Sequence, residues 1–434
     1  MTKIDLKNNE IKIDEDLYSR QIIFLGIETM KKISQLKILI IGLRGLGVEI
    51  AKDIIVSGPN KVILFDPNKV IIEDLGSNFY LTEKDIGKRR DEACLEKLKK
   101  LNKYVLVDNI KEISHIKHIM NFKDSIIQNY NVIVITEILS KEHILFLDSI
   151  SRENRICLIY SAVCGLSSFI FTDFGPNFTI YDQSYLKKRK FLIKKIEKSE
   201  KGLVEIEWNK KINPNISDNV VFKEVEGMTE LNFDENNKKI FRIKPKSKNE
   251  FFIGNTLDYN EYKSGGYVEE VALPKIVSYE SFINKLKEPF TDKIDYVNKR
   301  QKFIFLVLRA IMEFYDTYER LPFSYDENDY KELKIITKNI IDNLNYENSK
   351  SFNSEEIIFN ENIIKNICFT CSAEISCITS FIGGIICQEI IKTTGIFRPI
   401  NQFKIFDLLQ YSTIIPDSFK LNNIKEKSKY NELI

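Results

Sequence analysis

The sequence predicts an α/β chain whose Rossmann-like unit is interrupted by a small β-rich segment and a helical segment. Three observations predict it. The glycine-rich loop Gly42-Leu-Arg-Gly-Leu-Gly47 lies between a β-branched apolar run and a stretch of helical spacing. Short apolar runs recur on either side of it, as strands covered on both faces of a parallel sheet require. The hydrophobic period then changes to two after Pro176, returns to 3.6 from Tyr279, and gives way to one more helix and strand near the end.

Taken in order, Ile38 to Ile41 is a strand and Val48 to Val56 is a helix, with Val48, Ile50, Ala51, Ile54 and Ile55 on one face. Val62 to Phe65 is the next strand and ends at Asp66, which completes a βαβ unit. Val132 to Ile135 and Ile156 to Tyr160 repeat the buried-strand signature. Period-two alternation follows in Leu203 to Trp208, Val220 to Val225, Ile240 to Ile243, Phe251 to Ile253 and Tyr267 to Val271. Short strands at near-regular spacing predict a small barrel or sandwich. Tyr279 to Leu344 is helical, with Phe303, Leu306, Val307, Ala310, Ile311 and Phe314 on one face, and Asn345 to Asn366 reads as a polar loop. Phe381 to Lys392 is a buried helix whose Gly383-Gly384 pair allows close backbone approach, and Gln402 to Leu408 is a final strand.

Composition narrows the function. The 434 residues are 43% hydrophobic and 29% charged, enough for two to four domains. With 64 Lys+Arg against 62 Asp+Glu, the net charge of +2 supplies no electrostatic footprint for nucleic acid or an anionic membrane. The longest apolar stretch, Phe381 to Ile391, contains Gln388 and Glu389 and falls short of the roughly 20 residues that span a bilayer. The N-terminus has no signal-like apolar core, so a reducing compartment and seven free thiols are expected.

The glycine loop carries most of the chemistry. Its position between strand and helix, with Asp66 19 residues after Gly47, suits a dinucleotide or ATP fingerprint. In that fingerprint the second glycine lets the backbone approach phosphate, and here Arg44 stands in its place. A Cβ and a guanidinium stem fill the space a phosphate needs. Gly42 and Gly47 survive because tight turning and helix packing are architectural demands, so Gly42, Arg44, Gly47 and Asp66 read as a remnant, with no intact cofactor site and no metal site.

Other constellations carry little. Cys368-Phe-Thr-Cys371 is one CxxC without the second pair a zinc site needs. His115 and His118 at i, i+3 read as a surface helix face, and Lys187-Lys-Arg-Lys190 with Lys194-Lys195 as a solvated face rather than an import signal. Cys94, Cys157, Cys164, Cys377 and Cys387 lie in apolar patterns and read as core thiols.

Several motifs together resemble the N-terminal half of the ubiquitin-activating enzyme family. They are Tyr18-Ser-Arg-Gln21, Gly26-Ile-Glu-Thr-Met30, the stretch Gly42 to Lys52, Asp74-Leu-Gly-Ser-Asn-Phe-Tyr-Leu81 and Asp85-Ile-Gly-Lys88. Matches continue through Phe171 to Gly175, Phe222 to Asn232, Ser264 to Val268, Leu273-Pro-Lys275, Ser380 to Gly384 and Gln388-Glu389, so the resemblance covers about residues 15 to 415. It implies an inactive adenylation domain split into 1–175 and 362–434, a β-rich first catalytic-cysteine half-domain at 176–272 and a four-helix bundle at 273–361.

In that family a second, active adenylation half binds ATP and Mg²⁺, adenylates the ubiquitin C-terminus and passes it to a catalytic cysteine. The resemblance implies that this chain departs from the active half at Ser77, Asn78, Arg90 and Thr136-Glu137, so ATP and Mg²⁺ belong mainly to the other half and this chain alone is inactive. It further implies that Arg20 acts as an arginine finger toward the partner site, a planar permanent charge suited to phosphate oxygens. Expected partners are ubiquitin, the active half and, through the complete enzyme, ubiquitin-conjugating enzymes, with no nucleic acid and no membrane. An orphaned interface would favour self-association, and the expected location is cytoplasmic and nuclear. Ser428 to Ile434 resembles the entry to the second half, which suggests a fragment. Two alternatives remain: a free-standing regulatory subunit of a SUMO- or NEDD8-activating heterodimer, and an NAD-dependent oxidoreductase using Gly42, Gly47 and Asp66.

Overall fold

In a computed structural model of the chain, the described residues are 13–115, 119–120, 129–181, 189–207, 219–234, 237–289, 298–347 and 359–408. They form two compact units, one of 1–176, 278–394 and 399–434 and the other of 177–277 and 395–398.

The first unit opens with α1 (Ser19–Leu25) and α2 (Ile27–Ile33), separated by Gly26 at φ +80°. The βαβ unit follows as β1 (Lys37–Ile41), α3 (Gly45–Ser57) and β2 (Lys61–Phe65). Then come α4 (Arg90–Lys99), β3 (Leu106–Asn109), β4 (Val132–Ile135), α5 (Lys141–Glu153), β5 (Cys157–Cys164) and β6 (Ser167–Asp173). Across the sheet the order is β3-β2-β1-β4-β5, all parallel, continued by the antiparallel β6 and by β16 (Phe403–Asp407). The first two crossovers travel outward from β1 to β2 and β3, and the third returns to place β4 on the other side of β1, so the direction of travel reverses between β1 and β4. Open α/β sheets bind ligands at that reversal, beyond the carboxyl ends of the strands.

The apolar runs explain the layering. All four residues of β4 are buried, as are Ile38 to Ile41 and Val62 to Phe65, because helices cover both faces of the sheet. The strand expected at Ile156 to Tyr160 runs on to Cys164 and turns back as β6, a pairing that the continuous apolar run Phe169-Ile-Phe171 left unmarked in the sequence.

The helical segment comprises α6 (Phe282–Lys287), α7 (Lys299–Tyr318) and α8 (Glu327–Glu347), followed by α9 (Glu361–Thr370) and α10 (Ser376–Lys392). The six apolar residues expected on one face of α7 are all buried, and Phe305 of the same helix meets Phe403 of β16 edge to face at 4.8 Å. Helix α10 buries one face only: Phe381 is exposed while Ile382, Ile386 and Ile390 are covered. Of the glycine pair, only Gly383 supports a close approach, since a Cβ there would lie 3.1 Å from the Glu49 Cβ of α3 and one at Gly384 meets nothing.

The second unit holds one seven-stranded antiparallel sheet, where facing sheets or a barrel were expected. Its strands are β8 (Lys190–Ile196), β9 (Leu203–Ile206), β10 (Asn219–Glu226), β11 (Phe241–Arg242), β12 (Lys244–Pro245), β13 (Glu250–Phe252) and β14 (Ser264–Glu270), in the order β11-β10-β14-β8-β9-β13-β12. A two-stranded ribbon of β7 (Phe178–Ile180) and β15 (Lys275–Val277) adjoins it in sequence. Phe191, Val204, Val220, Phe222, Phe251 and Val268 share one apolar cluster. Strand β8 was hidden inside the basic run: Phe191, Ile193 and Ile196 point inward while Lys190, Lys194 and Lys195 face outward. Lys187, Lys188, Trp208, His118 and the segment 428–434 lie outside the described residues.

Two readings of single residues change. Cys377 is exposed at the start of α10 and is not a core thiol, and His115 sits at an exposed bend rather than on a helix. Cys368 and Cys371 are buried, the Cys371 thiol donating to the carbonyls of Cys368 and Pro322. Burial pushes the Cys368 thiol up to about 12, which keeps it protonated. No helix among the described residues is long and apolar enough to cross a membrane.

Candidate functional site

The glycine loop leaves β1 at the point of chain reversal and turns immediately into α3. Gly42 adopts φ +92°, and its N–H donates to the Phe65 carbonyl at 2.9 Å, tying the loop to β2. The Thr136 hydroxyl, just beyond β4, donates to the carbonyls of Ile41 and Gly42. Gly47 has no freedom to carry a side chain, since a Cβ there would lie 2.0 Å from the Gly42 carbonyl oxygen. Gly47→Ala should therefore destabilise the unit by at least ~3 kcal/mol, read as a lower denaturation midpoint; a midpoint equal to wild type would refute the packing argument.

Asp66 ends β2 fully buried and is consumed by the backbone. Its carboxylate accepts from the N–H groups of Leu43 at 2.8 Å and Asn68 at 3.0 Å. Arg44, the residue in place of the second glycine, donates to the Ser372 carbonyl at 3.0 Å and has its Nε 3.7 Å from Asp74. Asp74 is also held by Arg90 at 2.7 Å, and Arg90 stands 3.5 Å from Asp66 and 3.7 Å from Glu137. Asn78 donates to the Leu43 carbonyl, so the Asp74 to Leu81 motif braces the loop from outside.

Sequence reasoning missed one member. Glu374, in the link between α9 and α10, places its Oε2 3.3 Å from the Leu46 N–H at the start of α3. Only tertiary packing brings it there, and no spacing signal in the sequence marks it.

Four carboxyl groups (Asp66, Asp74, Glu137, Glu374) thus share two guanidinium groups (Arg44, Arg90). Burial, and then the charge of Glu137, push Asp66 up to about 8 against the pull of Arg90. Burial also raises Glu137, opposed by Arg90 and Arg44. Arg90 is lifted above its ordinary value, because Asp66, Glu137 and Asp74 together outweigh the burial that pulls it down. Arg90 stays charged, and the Asp66–Glu137 pair retains a proton at neutral pH.

The consequence for stability has a definite sign. A carboxyl raised from about 4 to about 8 on folding stabilises fully below pH 4 and loses that contribution as pH climbs through 8. Denaturation midpoints should therefore fall between pH 5 and 8, and Asp66→Asn should flatten the slope; an unchanged slope would show that Asp66 does not hold the proton.

Arg20 is placed elsewhere. Among the described residues no hydrogen bond or ion pair joins it to the glycine-loop cluster. It projects exposed from α1, whose start is anchored where Tyr18 is buried and its hydroxyl accepts from Asn102 at 2.9 Å. The Tyr18 ring lies over Gly58, where a Cβ would come within 2.5 Å of the hydroxyl. None of the residues of α1 is buried, and Ile23 and Phe24 are 85% and 69% exposed.

The ThiF family profile matches residues 18–429, almost the whole chain. The chain belongs to the ThiF family. It is homologous over most of its length to ubiquitin-activating enzymes. It is 34% identical over 410 residues to ubiquitin-activating enzyme E1 2 of Arabidopsis thaliana, covering 94% of this chain and 36% of that protein. It is 32% identical to ubiquitin-like modifier-activating enzyme 1 of Dictyostelium discoideum, covering 92% and 38%. The ThiF chain therefore spans little more than a third of the length of these curated relatives. Among solved structures, E. coli MccB with MccA-N7isoASN aligns at TM-score 0.32 and 18% identity, over 37% of this chain and 47% of that one.

ATP and Mg²⁺ do not fit the glycine-loop site of this ThiF chain. Arg44 brings a side chain where phosphate needs bare backbone, Glu374 holds the start of α3, and Glu137, the acid following β4, is taken up by Arg90.

Proposed function

We propose that this chain is the non-catalytic adenylation half of a ubiquitin-activating enzyme, a ligase that uses ATP to adenylate the ubiquitin C-terminus and form an enzyme thioester. The half contributes a pseudo-dimer interface, a surface facing ubiquitin, and Arg20 directed at the phosphates of ATP in an active second half. Ubiquitin-conjugating enzymes are partners of the complete enzyme. The segment 176–272 acts as the β-rich catalytic-cysteine half-domain and 273–361 as the helical bundle, and the protein works in cytoplasm and nucleus.

The observation that supports this reading best is the filled site at the chain reversal. Two arginines and four carboxyls pair with one another where a nucleotide would sit, while Arg20 stands exposed on a helix with uncovered apolar side chains. A half that binds no nucleotide but presents an arginine outward suits trans-acting chemistry better than its own.

Calorimetry of the isolated chain tests the site directly. Titration with ATP and Mg²⁺, and separately with NAD, should release no binding heat. Micromolar affinity for either ligand would overturn the reading and revive a nucleotide site at Gly42, Gly47 and Asp66.

A further inference from the structure

The disagreement between the glycine-loop geometry and a nucleotide leaves one question, namely what satisfies the start of α3. Helix α3 runs for 13 residues, and its cap residue, Arg44, supplies no side-chain hydrogen bond to the first turn. The first N–H groups of a helix have no partner within it and form a ready anion site. Here the Glu374 carboxylate meets them, with the Leu46 nitrogen 3.3 Å from Oε2 and the bare Gly45 backbone directly beside that oxygen.

Two independent features show that the surroundings are fitted to that carboxylate. A Cβ at Gly45 would lie 2.7 Å from Glu374 Oε2, so bare backbone at 45 is what lets the acid approach. Arg44 grips the Ser372 carbonyl at 3.0 Å, two residues before Glu374, and fixes the link from α9 to α10 over the loop. Burial raises the Glu374 carboxyl and the charge of Arg44 opposes that rise, while the Arg44 Nε is buried without a hydrogen-bond acceptor.

We propose that Glu374 is a built-in anion that takes the place of a nucleotide phosphate at the start of α3, with Arg44 as the latch that holds it there. The chain thus satisfies its own phosphate-binding loop and folds with no ligand. Removing the carboxylate while keeping Arg44 and the bare Gly45 backbone leaves the start of α3 open to a phosphate-class anion. The assignment is independent of any role for Arg20 and of ubiquitin.

The test compares wild type with Glu374→Ala, titrated with inorganic phosphate against sodium chloride of equal ionic strength. Wild type should show no phosphate-specific shift of its thermal midpoint. Glu374→Ala should melt lower in chloride and be restored toward wild type by millimolar phosphate. A variant as stable as wild type in chloride, or one no more responsive to phosphate than wild type, would overturn the proposal. If Glu374→Ala does not fold, Glu374→Leu, which keeps the volume but offers no acceptor, carries the test through hydrogen exchange at Gly45 and Leu46. Those amides should exchange at least tenfold faster than in wild type while amides of β1 and β4 keep their protection; unchanged exchange at 45 and 46 would equally overturn it.

Discussion

Arg20→Ala, assayed in the proposed complete enzyme of this half with an active adenylation half, should slow ATP–pyrophosphate exchange by about 10²- to 10³-fold, the loss that follows removal of one preorganised transition-state donor. Arg20 is exposed on α1 and makes no ion pair or hydrogen bond among the described residues, so its removal should leave the denaturation midpoint unchanged. Ubiquitin affinity should also hold, because the guanidinium is proposed to face ATP phosphates. Arg20→Lys should recover part of the rate, since a point charge replaces the charge but not the planar fork. Exchange at the wild-type rate in Arg20→Ala would remove Arg20 from the reaction. A fall in rate matched by a fall in stability would reassign it to the fold.

Arg90→Met should produce the largest stability loss in the α/β unit, about 3 to 5 kcal/mol by urea denaturation at neutral pH. Met fills similar volume but removes the one cation that reaches Asp74 at 2.7 Å, Asp66 at 3.5 Å and Glu137 at 3.7 Å. Four carboxyls then share a poorly solvated pocket with Arg44 alone. Without Arg90 the Asp66 and Glu137 carboxyls rise further, so the deficit grows as pH climbs through about 8, where wild-type Asp66 ionises and the variant's does not, and shrinks in acid, where both proteins hold those groups protonated. A deficit below 1 kcal/mol, or one independent of pH, would show that the cluster does not depend on Arg90. In a double-mutant cycle, Arg90→Met with Asp74→Leu should cost less than the sum of the single changes, because the pair at 2.7 Å is then removed together.

The parts of the site that were legible in sequence are those the backbone itself demands. Gly42 and Gly47 announce a tight strand-to-helix turn, and Arg44 between them signals the loss of bare backbone, because each effect acts within a few residues. Asp66 was legible as a strand end, yet its partners were not: its carboxylate serves the N–H groups of Leu43 and Asn68. Glu374 was illegible, since it reaches Leu46 across 328 residues of chain and nothing periodic marks a single acid in a link. Strand β8 was obscured for a different reason. Its inward Phe191, Ile193 and Ile196 alternate imperfectly with lysines, and a lysine-rich strand exposed on one face reads first as a charged run.

The sequence by itself determined the parallel strands, the β-rich and helical segments that follow them and the glycine turn, all of which follow from local periodicity and backbone sterics, and its motifs carried the family resemblance. Only the tertiary structure decided what fills that turn. The pairing of Arg44 and Arg90 with Asp66, Asp74, Glu137 and Glu374 depends on which distant segments the sheet order and α10 bring together. Electrostatic energy falls with distance in space rather than in sequence, so charges far apart along the chain acquire their partners, and their shifted protonation, only once it has folded.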